Sequence, residues 1–580
     1  MAEWPINDTV SKVFPLYSRA NVGEIFPDPI SPLNASAGFQ HNLEPGWRDA
    51  FVACRVWNHD LYDATVDKNI LPAFGSYLYI NMSLMRLFGV RVPGMSPESV
   101  DLQYFGDMPG IPSYDSEKRD FDQDPAFEET AGAWLLEEVI GATGLPAYDA
   151  DRDEVLKLRA ERPDMTTLSD QELRERICSF NPLLRRLFKH HIEASLKSGV
   201  GLGAIAQVAA ELGKPELALT LVSGIGDVDS TVPSQRMWTL SRAAQAPEVA
   251  ALFDQGIDEL YQRLTDSNDP VVATFRSDLD DFLTDWDFRG PAEWEIRAQT
   301  WGVKPELALG TIDRMRRVDD AEAPDGKNTI RAQEREDAAA AIREVLSADP
   351  EASAQFEATL NAAALWQRGR ERARTTAAMV IHEIRLPARE LGRRGVESGA
   401  LDSIEQIFML FADELDDYLA DPTRFTDIVR ERERSYLELF DFKPPFVVAG
   451  DVPALDAWER RTAATNTALT VGETITGVSG CTGTVRSRAR VLTTPDDPSA
   501  LEPGEILVAP ITDPSWTPLF VAASAVVVDV GAPFSHAAIV SREIGIPCVV
   551  SATDATKRIP DGALIEVDGA TGVVTVLDLD

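Results

Sequence analysis

Nowhere in its 580 residues does the chain contain an apolar run of about eighteen residues, so the sequence offers no helix that spans a bilayer. Its start, Met1-Ala2-Glu3-Trp4-Pro5, lacks a basic stretch followed by an apolar core, so no secretory signal is expected. Cysteine is scarce: Cys54, Cys178, Cys481 and Cys548 have neither metal-ligand nor disulfide spacing. That argues against a zinc module or a disulfide framework and fits a reduced, cytoplasmic compartment. Basic residues are in deficit, with 55 Lys and Arg against 94 Asp and Glu and a formal net charge of −39. Such a surface repels nucleic acid and anionic membrane, and neither is expected as a partner.

The pattern along the chain changes several times. Residues 1–125 are rich in Pro, Gly, Asn and aromatics and read as loop-rich, with Tyr77–Met82 as a strand or extended run. Residues 126–449 read as helical. Ser169 and Glu172 form a capping-box signature ahead of Leu173 and Ile177, and Ile205, Val208, Ala209 and Leu212 keep helical spacing. Ser223–Ser230 breaks the pattern. A charged helical pair joined near Gly399 is expected over about 330–440, ended by Pro444-Pro445. A weakly patterned connector, 450–470, precedes a last unit over 471–580.

That last unit holds the most informative stretch, Gly531–Glu543. The β-branched run Ala525–Val530 reads as a buried strand and Gly531-Ala532-Pro533 as a turn. Ser535 stands where a helix N-cap belongs, and His536 opens an Ala- and Ile-rich helix. A helix start offers free N–H groups and partial positive charge, both suited to an anion. An imidazole nitrogen is also a competent nucleophile for phosphorus. A phosphoryl group on His536 would therefore rest against donors of its own helix, and small Ala537 and Ala538 would leave the ring open to two successive partners.

In order and without large gaps, Gly504–Pro510, Thr512–Phe520, Ser535–Ile539, Arg542–Val550, Asp561-Gly562, Val567–Gly569 and Gly572 resemble the swivelling phosphohistidine domain of the PEP-utilising enzymes. The resemblance implies that His536 accepts the phosphoryl group, with Ser535, Thr512 and Arg542 binding or supporting it. Arg385, Leu391–Arg394, Glu397, Gly399, Ile407–Leu410 and Asp413–Leu415 are similar to the helical substrate domain of the rifampicin phosphotransferases and their dikinase-like relatives. So are Arg19–Glu24, Ser31–Leu33, Ser223-Gly224 and Trp238. Gln406 departs from that pattern, because relatives tend to carry Asp there.

The implied architecture is multidomain, a mainly α-helical substrate domain followed by a compact α/β swivelling domain. The substrate-like segment begins within the first twenty or so residues and the chain ends soon after Gly569, so neither an ATP-grasp region nor a phosphoenolpyruvate-binding barrel is expected here. The chain alone is then expected to bind no cofactor. ATP and Mg2+ belong to an ATP-grasp subunit acting in trans, as in the divided phenylphosphate synthase, whose phosphohistidine subunit this chain resembles. The implied reaction converts ATP to AMP and phosphate and phosphorylates a hydroxyl of a small apolar or aromatic metabolite; phosphoenolpyruvate as donor stays open. The alternative is a non-catalytic ligand-binding or regulatory paralogue that keeps the fold.

Cations for the acceptor side are sought in Trp366–Arg374. On a helix Arg368 and Arg372 share one face, and Arg370 and Arg374 share another. One pair would clamp a phosphoryl group. Arg368 and Arg372 are the candidates, with His382 and Arg385 further along, each set against an ordinary charged surface helix. No metal site is expected: His382 lacks a second His at i+4. His190-His191 with Glu193 reads as an exposed helix end, and Gly199–Ala204 as a turn between helices rather than a dinucleotide loop.

Overall fold

In the computed structural model of the chain, residues 6–579 are described apart from 107, 109, 230, 321, 322, 462–467, 496–500, 513–515 and 532–534, and apart from the side chains of 39–41, 216, 324–328 and 518. Ala532-Pro533 of the expected turn, Asp513–Ser515, and the middle of the connector lie outside the described residues.

A large helical part is followed by an α/β part. In the first, a small sheet joins distant segments: β1 (Leu16–Ser18) pairs antiparallel with both β2 (Ile80–Asn81) and β3 (Val447–Ala449). The loop-rich N-terminal segment and the end of the helical segment therefore form one structural unit. Three long helices carry the argument: α1 (Asn181–Glu211), α2 (Pro324–Val345) and α3 (Pro350–Glu397).

Helix α3 runs for 48 residues because both ends are specified. Asp349 caps its first N–H groups, accepting from Glu351 and Ala352, and Pro350 sits at the first position. It stops ahead of Gly399, which adopts φ +78°. The expected helical pair thus has a longer joint than a single glycine: a 3-10 segment, Ile404–Met409, and further short helices precede Thr426–Leu439. Helix α1 packs along α3. At their crossing a Cβ on Gly201 would lie 3.1 Å from the Cα of Ala363. The expected turn at Gly199–Ala204 is therefore corrected: these residues lie inside α1, where glycine permits close helix approach. The Ser169–Glu172 capping box is present.

The α/β part is one eight-stranded sheet: β4 (Thr474–Thr476), β5 (Val478–Cys481), β6 (Thr484–Val491), β7 (Ile506–Ala509), β8 (Ala525–Val528), β9 (Cys548–Val550), β10 (Leu564–Asp568) and β11 (Val573–Asp578). Their spatial order is β4-β11-β10-β6-β7-β8-β9-β5. The pairs β6–β7, β7–β8 and β8–β9 are parallel, and the flanking pairs are antiparallel. Helices α4 (Thr517–Ala522) and α5 (His536–Ile544) lie in the crossovers before and after β8. Every residue of β8 is buried, as expected for a parallel strand covered on both faces. Ala525 and Val527 enter the sheet's own core, with Ile506 and Val508. Val526 and Val528 face the other way, into a core that also holds α5 and the helical part. One continuous apolar core thus joins the two parts, with α5 packed against α2.

Candidate functional site

Helix α5 begins where β8 and its loop deliver the chain to the carboxyl end of the parallel strands, the usual ligand position in such sheets. Ser535 has an extended backbone, and its hydroxyl accepts the Ala538 N–H at 3.4 Å, so it is the N-cap. His536 follows as the first helical residue. Its Nδ1 lies 3.1 Å from the Thr512 hydroxyl and its Nε2 3.0 Å from that of Thr517, the first residue of α4. Two hydroxyls that both donate and accept fix the ring plane while permitting either tautomer.

The ring is 2% exposed. Part of that cover comes from the helical part. The His536 amide donates to Oε2 of Glu24 at 3.1 Å. Burial, then the positive charges of Arg374, Arg370 and Arg289, hold the ring well below the ordinary histidine value. Burial also raises the Glu24 carboxyl to about 7, against the opposing pull of the His536 N–H, Arg370 and Arg374.

Beneath this contact lies a cavity of about 1030 Å³ of empty space, its open mouth included. Its polar end carries Glu24, Gln103, Tyr104, His191, Arg370 and Arg374, and its walls include Trp47, Met85, Phe188, Leu202 and Trp294. Ile539 of α5 contributes to the lining from the sheet side. Arg370 and Arg374, one helical turn apart on α3, act electrostatically on both His191 and His536. Arg370 donates to Glu371 at 2.6 Å. Arg374 is 2% exposed, and its Nε and Nη2 have no hydrogen-bond partner among the described residues. A buried guanidinium in that state is a strong anion-seeking group.

The residues expected to serve His536 divide. Thr512 and Ser535 stand beside it. Arg542 is six residues further along α5; its Nε donates to the Gly480 carbonyl at 2.7 Å, among Cys481 and Cys548. Arg368 and Arg372 turn to a different face of α3. Arg368 binds the carbonyls of Ile225 and Gly226, and Arg372 pairs with Asp149 and Asp227. Neither lines the cavity.

His382 and Arg385 are buried rather than on a surface helix. His382 contacts Thr300, Arg385 and Asp287, and Arg385 ties down the carbonyls of Glu293, Glu295 and Ile296. The expectation of an exposed helix end at His190-His191 is corrected too: both lie within α1, and His191 is 4% exposed and lines the cavity. Gln406 is used structurally, bonded to Glu433 and the Asp402 amide.

Glu24, Thr517, His191 and the Arg370/Arg374 pair were not singled out as site residues by sequence reasoning. Glu24 and Thr517 do sit inside segments that carried the family resemblance, and Arg370 and Arg374 form the second face of the same helix. Among the described residues no group of His, Cys, Asp or Glu has the arrangement of a metal site, and no helix is long and apolar enough to cross a membrane.

Known proteins share both parts. Residues 501–572 match the mobile domain of the PEP-utilising enzymes, and residues 190–393 match the fourth domain of rifampicin phosphotransferase. In these two segments the chain is similar to the PEP-utilising enzymes and to rifampicin phosphotransferase. Among particular relatives, an uncharacterised protein of Mycobacterium tuberculosis is 29% identical over 586 residues, covering 98% of this chain and 62% of its own length. The rifampicin phosphotransferase of Streptomyces sviceus is 38% identical over 186 residues, 32% of this chain and 20% of the relative. That of Bacillus cereus is 35% identical over 182 residues, 31% of this chain and 20% of the relative. Matched over nearly its whole length, the chain thus spans about three fifths of the M. tuberculosis relative.

Proposed function

We propose that His536 is the phosphoryl carrier of an ATP-dependent phosphotransferase and that the cavity beneath it holds the acceptor, a small apolar or aromatic molecule with a free hydroxyl. The observation that carries this reading is Arg374, a buried guanidinium that lines the apolar-walled cavity and acts electrostatically on His536. The donor is ATP with Mg2+, bound on an ATP-grasp unit in a separate chain; one phosphoryl group passes to His536, water takes the other, and AMP and phosphate leave.

In the arrangement described, His536 faces the acceptor. To be charged it must leave Glu24 and present its ring elsewhere. The connector limits where the pivot lies. Glu459-Arg460 pair with Phe442-Lys443, and the Arg461 amide donates to the Asp441 carbonyl, so residues up to 461 stay with the helical part. On return, the acceptor oxygen attacks phosphorus. The O–P bond forms and the N–P bond breaks, its electron pair returning to the ring nitrogen while the other nitrogen keeps its proton. The hydroxyl proton passes to a base in the cavity. Arg370 and Arg374 hold the moving phosphoryl oxygens, the electrostatic support such loose transition states need.

The second reading, a ligand-binding module that transfers nothing, has one observation in its favour: the ring is sealed in the docked arrangement. Mixing the chain with the ATP-grasp chain and phosphate-labelled ATP separates the two. Acid-labile, base-stable label on the wild type, absent in His536→Ala, supports the carrier. Absence of label under every condition supports the module.

A further inference from the structure

The far end of α5 meets the helical part at a second, small recess with room for about one water-sized particle, lined by Leu219, Thr220, Ser223 and Arg331 on the helical side and by Cys481, Thr482 and Arg542 on the sheet side. Arg542 is 1% exposed. Its Nε is satisfied by the Gly480 carbonyl, but Nη1 and Nη2 have no hydrogen-bond partner among the described residues. The acids nearby are committed elsewhere. Glu543 accepts the Ile225 N–H at 3.5 Å, and Glu334 pairs with Arg331 at 2.7 Å. A second Arg331 nitrogen, Nη2, donates to the Gly545 carbonyl, so this guanidinium is fixed at the cavity wall. Burial raises the Cys481 and Cys548 thiols, so neither supplies negative charge.

A buried guanidinium fork with two free donors and no carboxylate in contact is costly. Water would satisfy its hydrogen bonds and leave its charge unbalanced. We propose that this space binds a small inorganic anion of about the size of chloride, held by Arg542 and Arg331 with the Thr220 hydroxyl as a further donor. Because one wall comes from each part, the complete site exists only when the two are docked. The anion therefore favours the docked arrangement by mass action. This goes beyond the phosphotransfer reading and does not require it.

Cys481 lines the same space and reports on it. The full-length chain is treated with iodoacetamide in sodium gluconate, in chloride and in phosphate at one ionic strength, and labelling is mapped by peptide mass spectrometry. At about ten times its Kd an anion leaves one site in ten vacant, so the proposal expects Cys481 labelling about tenfold slower in the binding anion, with Cys54 and Cys178 unchanged. Slower labelling in chloride but not in phosphate is expected of a recess this small. Arg542→Met and, as a variant on the opposite wall, Arg331→Met should each abolish the anion dependence. A crystal grown in bromide should show an anomalous peak between the two arginines. Equal Cys481 labelling in all three salts, or water alone between the arginines, would overturn the proposal.

Discussion

Glu24 and His536 stand 512 positions apart in the chain and share one hydrogen bond, from the histidine amide to the carboxylate. The carboxylate occupies the helix mouth, the place where a phosphoryl group on the neighbouring ring would find its donors. In the unphosphorylated protein, Glu24 thus supplies the anion at the start of α5. A phosphoryl group brings roughly two negative charges to the same spot, so docking of the charged carrier requires Glu24 to give way or take up a proton.

Docking should weaken as pH rises. Glu24 is raised from 4.5 to about 7 and Glu543, buried in the same interface, is likewise raised to about 7. A raised carboxyl means the docked state binds more protons. Its contribution is complete below about 4.5, declines as pH climbs, and is gone above about 7. The His536 ring, held below its ordinary value in the docked state, works the other way below about pH 6.5, so small-angle scattering on the full chain should show the molecule expanding as pH rises from about 6.5 to 8. Glu24→Gln with Glu543→Gln should remove most of that dependence. A radius that does not change with pH in the wild type contradicts this.

Arg374 should trade stability for transfer. Arg374→Ala and Arg370→Ala are expected to keep formation of phosphohistidine and slow onward transfer by about 10²–10³-fold, the usual loss for one transition-state donor. Arg368→Ala should slow it less than about tenfold, because Arg368 holds only the Ile225 and Gly226 carbonyls. A chase of labelled phosphoprotein measures both. Arg374→Met, which removes a buried charge without a hydrogen-bond partner, should also raise stability by about 1 kcal/mol, read in thermal unfolding. Equal chase rates in all these variants remove the pair from the site.

Gly201 should tolerate no side chain. A Cβ there already lies 3.1 Å from the Ala363 backbone. Gly201→Val forces α1 off α3, at a cost of about 1–3 kcal/mol, and shifts His191 away from Arg370 and Arg374. A lower melting temperature is expected; an unchanged one shows that the crossing is looser than described.

The strand and the capped helix around His536 were legible because their signals are local: a β-branched run, a cap and a short amphipathic helix follow each other closely in the chain. The two-part layout was legible for the same reason. The faces of α3 were legible as two arginine pairs, but not which pair faces inward. That depends on Asp149, Asp227 and the 225–226 carbonyls, all distant in sequence, which draw Arg368 and Arg372 outward. At Gly199–Ala204, glycine reads locally as a breaker, yet tertiary contact with Ala363 makes it a packing residue inside α1. His191 becomes buried by that same contact. Glu24 has no local signal for its role, since its partner lies at the other end of the chain.

The most direct test of the account is the phosphorylation state of one peptide. After incubation with ATP and the ATP-grasp chain, the protein is quenched in alkali, digested, and the peptide carrying His536 sequenced by mass spectrometry. The account predicts a phosphoryl adduct on the His536 ring that is lost on acid treatment. An adduct confined to any other residue, with His536 unmodified, would contradict it.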